Sequence, residues 1–208
     1  MATIQEPRNA GSPAPEDRRT CPPSNRLRWT SEEYYRLAEL GFFRNRRVEL
    51  VRGQIIARSS FKPAHAISVE LADNTFRTAF APGHRVWIQL PLDLGRRNQP
   101  EPDAVVLAGS PRDSGEHPKT ALLVVEISDT TLRYDRLVNG HLYARAKVAD
   151  YWILNLIDRQ LEVYREPVPD PARNGRFAYH QQTIVTAGGR VAPLGKPGVE
   201  VAVADLLP

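Results

Sequence analysis

Two short runs, Ala104–Ala108 and Ala121–Val125, are apolar at every position and bounded by polar stretches. Strands covered on both faces read this way. Residues 48–57 carry Val, Leu and Ile around Arg52-Gly53, which predicts a hairpin turning at Gly53. Arg85 to Leu94 predicts a strand bent at Pro91, followed by a polar loop to Pro102. Helical spacing marks Ala64 to Phe80, through Val69, Ala72, Phe76 and Phe80, with Pro82-Gly83 as its stop. Thr30-Ser31-Glu32-Glu33 fits a capping box, so a helix is expected over Ser31–Leu40, with Gly41 as its C-terminal cap. Arg133 to Lys147 also reads as helix, although Gly140 weakens it by about 1 kcal/mol relative to Ala. Tyr151–Leu154 and Leu161–Tyr164 predict strands turning at Asp158-Arg159. Pro167 to Arg173 reads as a loop, and the remainder as edge strands with turns at Gly188-Gly189 and Gly195.

A strand–helix–strand unit from Leu122 to Leu154 would be parallel and right-handed. The elements together predict an α/β fold: a mixed central β-sheet flanked by helices, with extra antiparallel hairpins. Residues 1–26 are rich in Pro, Gly, Ser and charge and read as a disordered tail, leaving 27–208 as a single domain.

The two apolar runs make the strongest chemical prediction. If they pair as an antiparallel hairpin, a register matching Ala108 with Ala121 also matches Asp103 with Glu126. Directly opposed residues share a face, with Cβ atoms about 4.5–5.5 Å apart. Two carboxylates that close repel unless a cation lies between them. Mg²⁺ or Mn²⁺ would suit such an all-oxygen site. Glu126 also ends a strand that leads into a helix, where functional groups of open α/β sheets gather. Glu49, charged amid Val48, Leu50 and Val51, is a candidate neighbour, as is His65 near a helix start. Asp135 and Asn139, four apart on the helix, share a face, and Arg136 could share that of Asn139. Tyr143 and Trp152 read as core.

Composition narrows the classes. Cys21 is the sole cysteine, which excludes an intramolecular disulfide and a cysteine-based zinc site. No stretch approaches the roughly 18 apolar residues of a membrane span, so no membrane partner is expected. The N-terminus lacks the apolar segment of a signal peptide, so the cytoplasm is the expected location. Net charge is +4, and residues 1–28 hold five Arg against Glu6, Glu16 and Asp17. The rest is only weakly basic, which permits a nucleic-acid partner without demanding one.

The order of the motifs resembles the PD-(D/E)xK nuclease superfamily, and within it the Uma-two family of restriction endonucleases. The resemblance runs through Arg47–Ile55, Lys62-Pro63-Ala64-His65, Pro100-Glu101-Pro102-Asp103, Val124–Thr131, Tyr134-Asp135-Arg136, Leu142–Ala146 and Asp150–Ile153, covering about residues 28–206. It implies a restriction-endonuclease-like core that hydrolyses DNA, with Asp103 and Glu126 holding the metal and Glu49 as an accessory acid. His65, Asp135 and Arg136 would face substrate, and a homodimer is compatible with it. The superfamily's lysine would stand at Ser128, or in this branch at Asn139, so the chain departs from the pattern there. Lys119 would lie roughly 20 Å from Glu126 by strand rise, and Lys147 about 12 Å beyond Asn139 along a helix. Lys62, close to His65, is the nearest candidate. Arg136 could stabilise phosphate charge but could not act as a base. The departure motivates a second expectation, a non-catalytic module that binds DNA or a protein partner.

Overall fold

The computed structural model describes residues 27–58, 62–113, 115–171 and 176–208. The expected tail, 1–26, lies outside the described residues. Helix α1 spans Ser31–Glu39. The capping box forms as predicted: Glu33 N donates to Thr30 Oγ1 (3.2 Å), and Thr30 N to Glu33 Oε2 (2.8 Å). Strands β1 (Val48–Val51) and β2 (Gln54–Ala57) form the hairpin, with Arg52 and Gly53 at φ 53° and 73° in its turn. Helix α2 runs from Pro63 to Phe80.

The central sheet contains β3 (His84–Ile88), β4 (Ala104–Ala108), β5 (Leu123–Ser128), β6 (Asp150–Asn155), β7 (Gln160–Asp170) and β8 (Arg176–Thr186), in that spatial order. Neighbours are antiparallel except β5 and β6, which are parallel, as the strand–helix–strand unit requires. The crossover helix α3 joins an α turn (Leu132–Tyr134), a π turn (Asp135–Asn139) and an α segment (Gly140–Arg145). Strands β9 (Arg190–Val191) and β10 (Val201–Ala202) form a short separate pair. The architecture is the mixed α/β sheet with extra hairpins that the pattern predicts.

The central strands β4, β5 and β6 are buried on both faces, which explains their apolar runs. One face packs Ala104, Val125, Trp152 and Val163 against Phe76 and Phe80 of α2. The other packs Val105, Val124, Tyr151 and Ile153 against Tyr143 of α3. A third cluster seats Tyr34 of α1 on Val48 and Leu50 of β1. Leu50 exchanges backbone hydrogen bonds with Gln99 (3.3 and 2.7 Å), tying the β1–β2 hairpin to the segment that leads into β4.

Three boundaries differ from expectation. The strand expected over Arg85–Leu94 ends at Ile88, because Gln89 adopts φ 50° and turns the chain out of the sheet. The helix expected over Arg133–Lys147 is widened by the π turn and ends at Arg145. The loop expected from Pro167 is strand as far as Asp170. Proline is poorly tolerated only where a strand has neighbours on both sides. β6 pairs with β7 no farther than Arg165, so Pro167 and Pro169 stand where β8 is the one pairing strand.

Candidate active site

The predicted register holds. β4 and β5 pair Ala104 with Val125, Val105 with Val124 and Val106 with Leu123. Continuing that line sets Asp103 opposite Glu126, and Asp103 N lies 3.4 Å from Glu126 Oε2. The pairing stops at Leu123, so Ala108 and Ala121 do not meet. Both carboxylates are buried, Asp103 to 2% exposure and Glu126 to 5%.

Different groups hold the two acids. Asp103 Oδ1 takes Arg58 Nη2 (3.1 Å), His65 Nε2 (3.3 Å) and Gln89 Nε2 (3.3 Å), and its Oδ2 accepts from Ile127 N (2.9 Å). Burial pushes the Asp103 carboxyl up, but His65, Arg58 and the Ile127 amide outweigh it and hold it below its ordinary value. Glu126 Oε1 accepts from Tyr143 Oη (2.7 Å) and Asn139 Nδ2 (3.1 Å), both neutral donors. Burial, then Asp135 and Asp103, push its carboxyl well above the usual range.

α3 supplies the next layer. Gly140 N bonds back to Asp135 O across the widened turn, so Asp135 and Asn139 bracket it with their side chains in contact (2.9 Å). Asp135 Oδ2 also accepts from Ser128 Oγ (2.5 Å) and Thr131 Oγ1 (2.7 Å). Burial still leaves Asp135 raised above its ordinary value. From β1, Glu49 Oε2 accepts from Glu101 N (3.2 Å), and burial raises its carboxyl too.

These groups surround a cavity of about 670 Å³, whose lining includes the carboxylates of Glu49, Glu101, Asp103, Glu126 and Asp135. Its apolar wall includes Ile56, Leu137 and Val138. Arg58 stands among the acids, bonded to the Glu101 carbonyl as well as to Asp103. Burial alone would lower its pKa, but Asp103, Glu126, Glu49 and Glu101 reverse this and secure its charge.

The structure therefore gathers Glu49, His65, Asp103, Glu126, Asp135 and Asn139. Arg136 is the exception to the expectation that it joins them. It forms a two-pronged pair with Glu162, Nε to Oε2 at 2.8 Å and Nη2 to Oε1 at 2.5 Å. Sequence reasoning missed Arg58, Glu101 and Gln89, and took Tyr143 for core alone. Arg58 directly follows β2, beyond the last paired position, so no periodicity pointed to it. No lysine lines the cavity among the described residues. Lys62 instead pairs with Asp129 (3.2 Å), Lys119 with Glu116 (3.1 Å), and Lys196 donates to Ala81 O (2.7 Å).

Among the described residues, no group of three or more His, Cys, Asp or Glu side chains is arranged to hold a metal ion. A hard cation such as Mg²⁺ needs less from the protein, one or two carboxylates with the remaining positions hydrated. Asp103 and Glu126 fit that donor chemistry. The fit is supported by Asn139 Oδ1, a buried oxygen with no hydrogen-bond partner among the described residues.

A family model described as "Uma2: Putative restriction endonuclease" matches residues 31–204. Comparison with curated proteins finds no match. Among solved structures, a crystal structure of a "putative nuclease belonging to DUF820" from Anabaena variabilis is similar, with a TM-score of 0.63 and 16% identity. The match covers 85% of this chain and 96% of that one. At that identity the likeness is one of fold. No helix among the described residues is long and apolar enough to cross a membrane.

Proposed function

The chain belongs to the Uma2 family of restriction-endonuclease type, and from that premise we propose that it hydrolyses DNA phosphodiester bonds with Mg²⁺ or Mn²⁺ held at Asp103 and Glu126. One observation carries the proposal: two buried acids lie side by side at the cavity, and Glu126 has only neutral donors. A divalent cation bound there would relieve that repulsion, acidify its water and stabilise charge on a phosphate.

The residues then divide the work. Arg58, His65 and the Ile127 amide keep Asp103 ionised and oriented. Tyr143 and Asn139 hold Glu126. Glu49 is an accessory acid, fixed by the Glu101 amide. Arg58 brings positive charge to the phosphate, but a guanidinium cannot act as a base. His65 positions Asp103, and Asp135 positions Asn139. Arg136 is paired with Glu162 and does not line the cavity. On this reading residues 27–208 form one domain, because both helical layers pack on the same sheet.

The purified protein with Mg²⁺ or Mn²⁺ is expected to nick supercoiled plasmid, and Asp103→Ala to abolish nicking. Nicking that survives Asp103→Ala overturns the proposal. A second reading is favoured by Asn139, which stands where the family resemblance places a lysine, and by the cavity lining without lysine. On that reading the chain binds DNA or a protein partner without cutting. Binding that persists in chelator, with no cleavage under any divalent metal, supports it. Gained nicking in Asn139→Lys would identify a degenerate catalytic site.

A further inference from the structure

Asn139 is 5% exposed and lines the cavity. Its Nδ2 donates to Glu126 Oε1 (3.1 Å) and Asp135 Oδ1 (2.9 Å). Two carboxylate acceptors on one nitrogen fix the amide's orientation, since turning it over would set its oxygen against both. Oδ1 is thereby committed away from them, and no donor reaches it among the described residues. A buried carbonyl oxygen without a partner is unfavourable. Tyr134 Oη is also buried and unpartnered, but a phenol can donate or accept, whereas Asn139 Oδ1 can only accept.

The surroundings decide what Oδ1 accepts from. Five carboxylates face the cavity, and Asp103 has already taken Arg58. A cation lowers the energy of that arrangement in a way that an uncharged donor does not. We propose that Asn139 Oδ1 is a third oxygen ligand of the divalent cation held by Asp103 and Glu126. This rests on the metal reading given above. Two carboxylates and one amide oxygen neutralise a divalent ion and leave the remaining positions to water, the partly hydrated state that Mg²⁺ prefers. Asp135, anchored by Ser128 and Thr131, acts as a positioning residue that holds the amide.

Mn²⁺ calorimetry and the luminescence lifetime of bound Tb³⁺ in H₂O and D₂O test this on the whole chain. The proteins are wild type, Asn139→Ala, Asn139→Leu and Asp103→Ala, with thermal unfolding of each as a folding control. Wild type is expected to bind both ions and Asp103→Ala neither. Asn139→Ala should lose about tenfold in Mn²⁺ affinity and gain one Tb³⁺-bound water. Asn139→Leu, which fills the space without an oxygen, should lose as much affinity. If both Asn139 variants keep wild-type affinity and hydration number, the proposal is overturned and the Asp103–Glu126 reading stands. If wild type binds neither ion, both are overturned.

Discussion

Glu126 and Glu162 occupy one row of the sheet, each directly paired with Ile153 of the strand between them. Paired residues share a face, so both acids lie under α3. Both are buried, yet their surroundings are opposite. Glu162 takes Arg136 in a two-pronged pair, Tyr164 Oη (2.7 Å) and Asn155 Nδ2 (3.1 Å). Glu126 takes three neutral donors, Tyr143 Oη, Asn139 Nδ2 and the Asp103 amide, and faces Asp103 and Asp135. Burial raises both carboxyls, but the Arg136 and Tyr164 bonds carry Glu162 below its ordinary value, while Glu126 stays well above. One acid is neutralised within the fold. The other has no cation in hydrogen-bonding contact among the described residues and lies beside two further acids.

Removing the neutralising partner should break the contrast most severely. Arg136→Met leaves Glu162 buried and uncompensated, and should cost about 3 kcal/mol in urea unfolding, the low end for a broken buried pair. The low end applies because the Arg136 side chain is 39% exposed. A loss below about 0.5 kcal/mol would mean that the pair is ornamental, as exposed pairs often are.

Parallel glutamine substitutions sharpen the comparison. Glu162→Gln loses charge-assisted bonds and should cost about 2 kcal/mol. Glu126→Gln removes a repelled charge and should be neutral or stabilising by about 1 kcal/mol. Equal losses at the two positions would show that Glu126 is a structural acid like Glu162.

The smallest effect is in the pH dependence. Glu162 is depressed in the fold, so its stabilisation is present above the unfolded carboxyl value of about 4.3 and lost as pH falls through its lower folded value. The gap between wild type and Glu162→Gln should therefore narrow as pH falls below about 4.3 and go on narrowing through the folded value. Glu126 is raised, so ionising it penalises the fold increasingly as pH rises above about 4.3 through its folded value. The advantage of Glu126→Gln should grow in that direction. Gaps that move together would remove the distinction.

Local pattern carried the site only where it carried the strands. Asp103 and Glu126 were legible because two fully apolar runs allow a register that faces one acid with the other, and the acids lie at its end. The β1–β2 hairpin was legible from Arg52-Gly53, and with it the place of Glu49. Asp135 and Asn139 were legible as neighbours because residues four apart stay close whether the turn is α or π. The π turn itself left no mark in the periodicity. Nor did the direction of Arg136, which depends on a buried acid two strands away.

The chain's apolar runs and their polar bounds thus determined the strands and allowed the register that pairs the two carboxylates, because each run is read from neighbours along the sequence. Tertiary structure alone decided which cation each buried acid meets. Arg58 reaches Asp103 across 45 positions and Arg136 reaches Glu162 across 26. No local period encodes such a distance. The same packing aligned the amide of Asn139 between two carboxylates and left its oxygen without a partner.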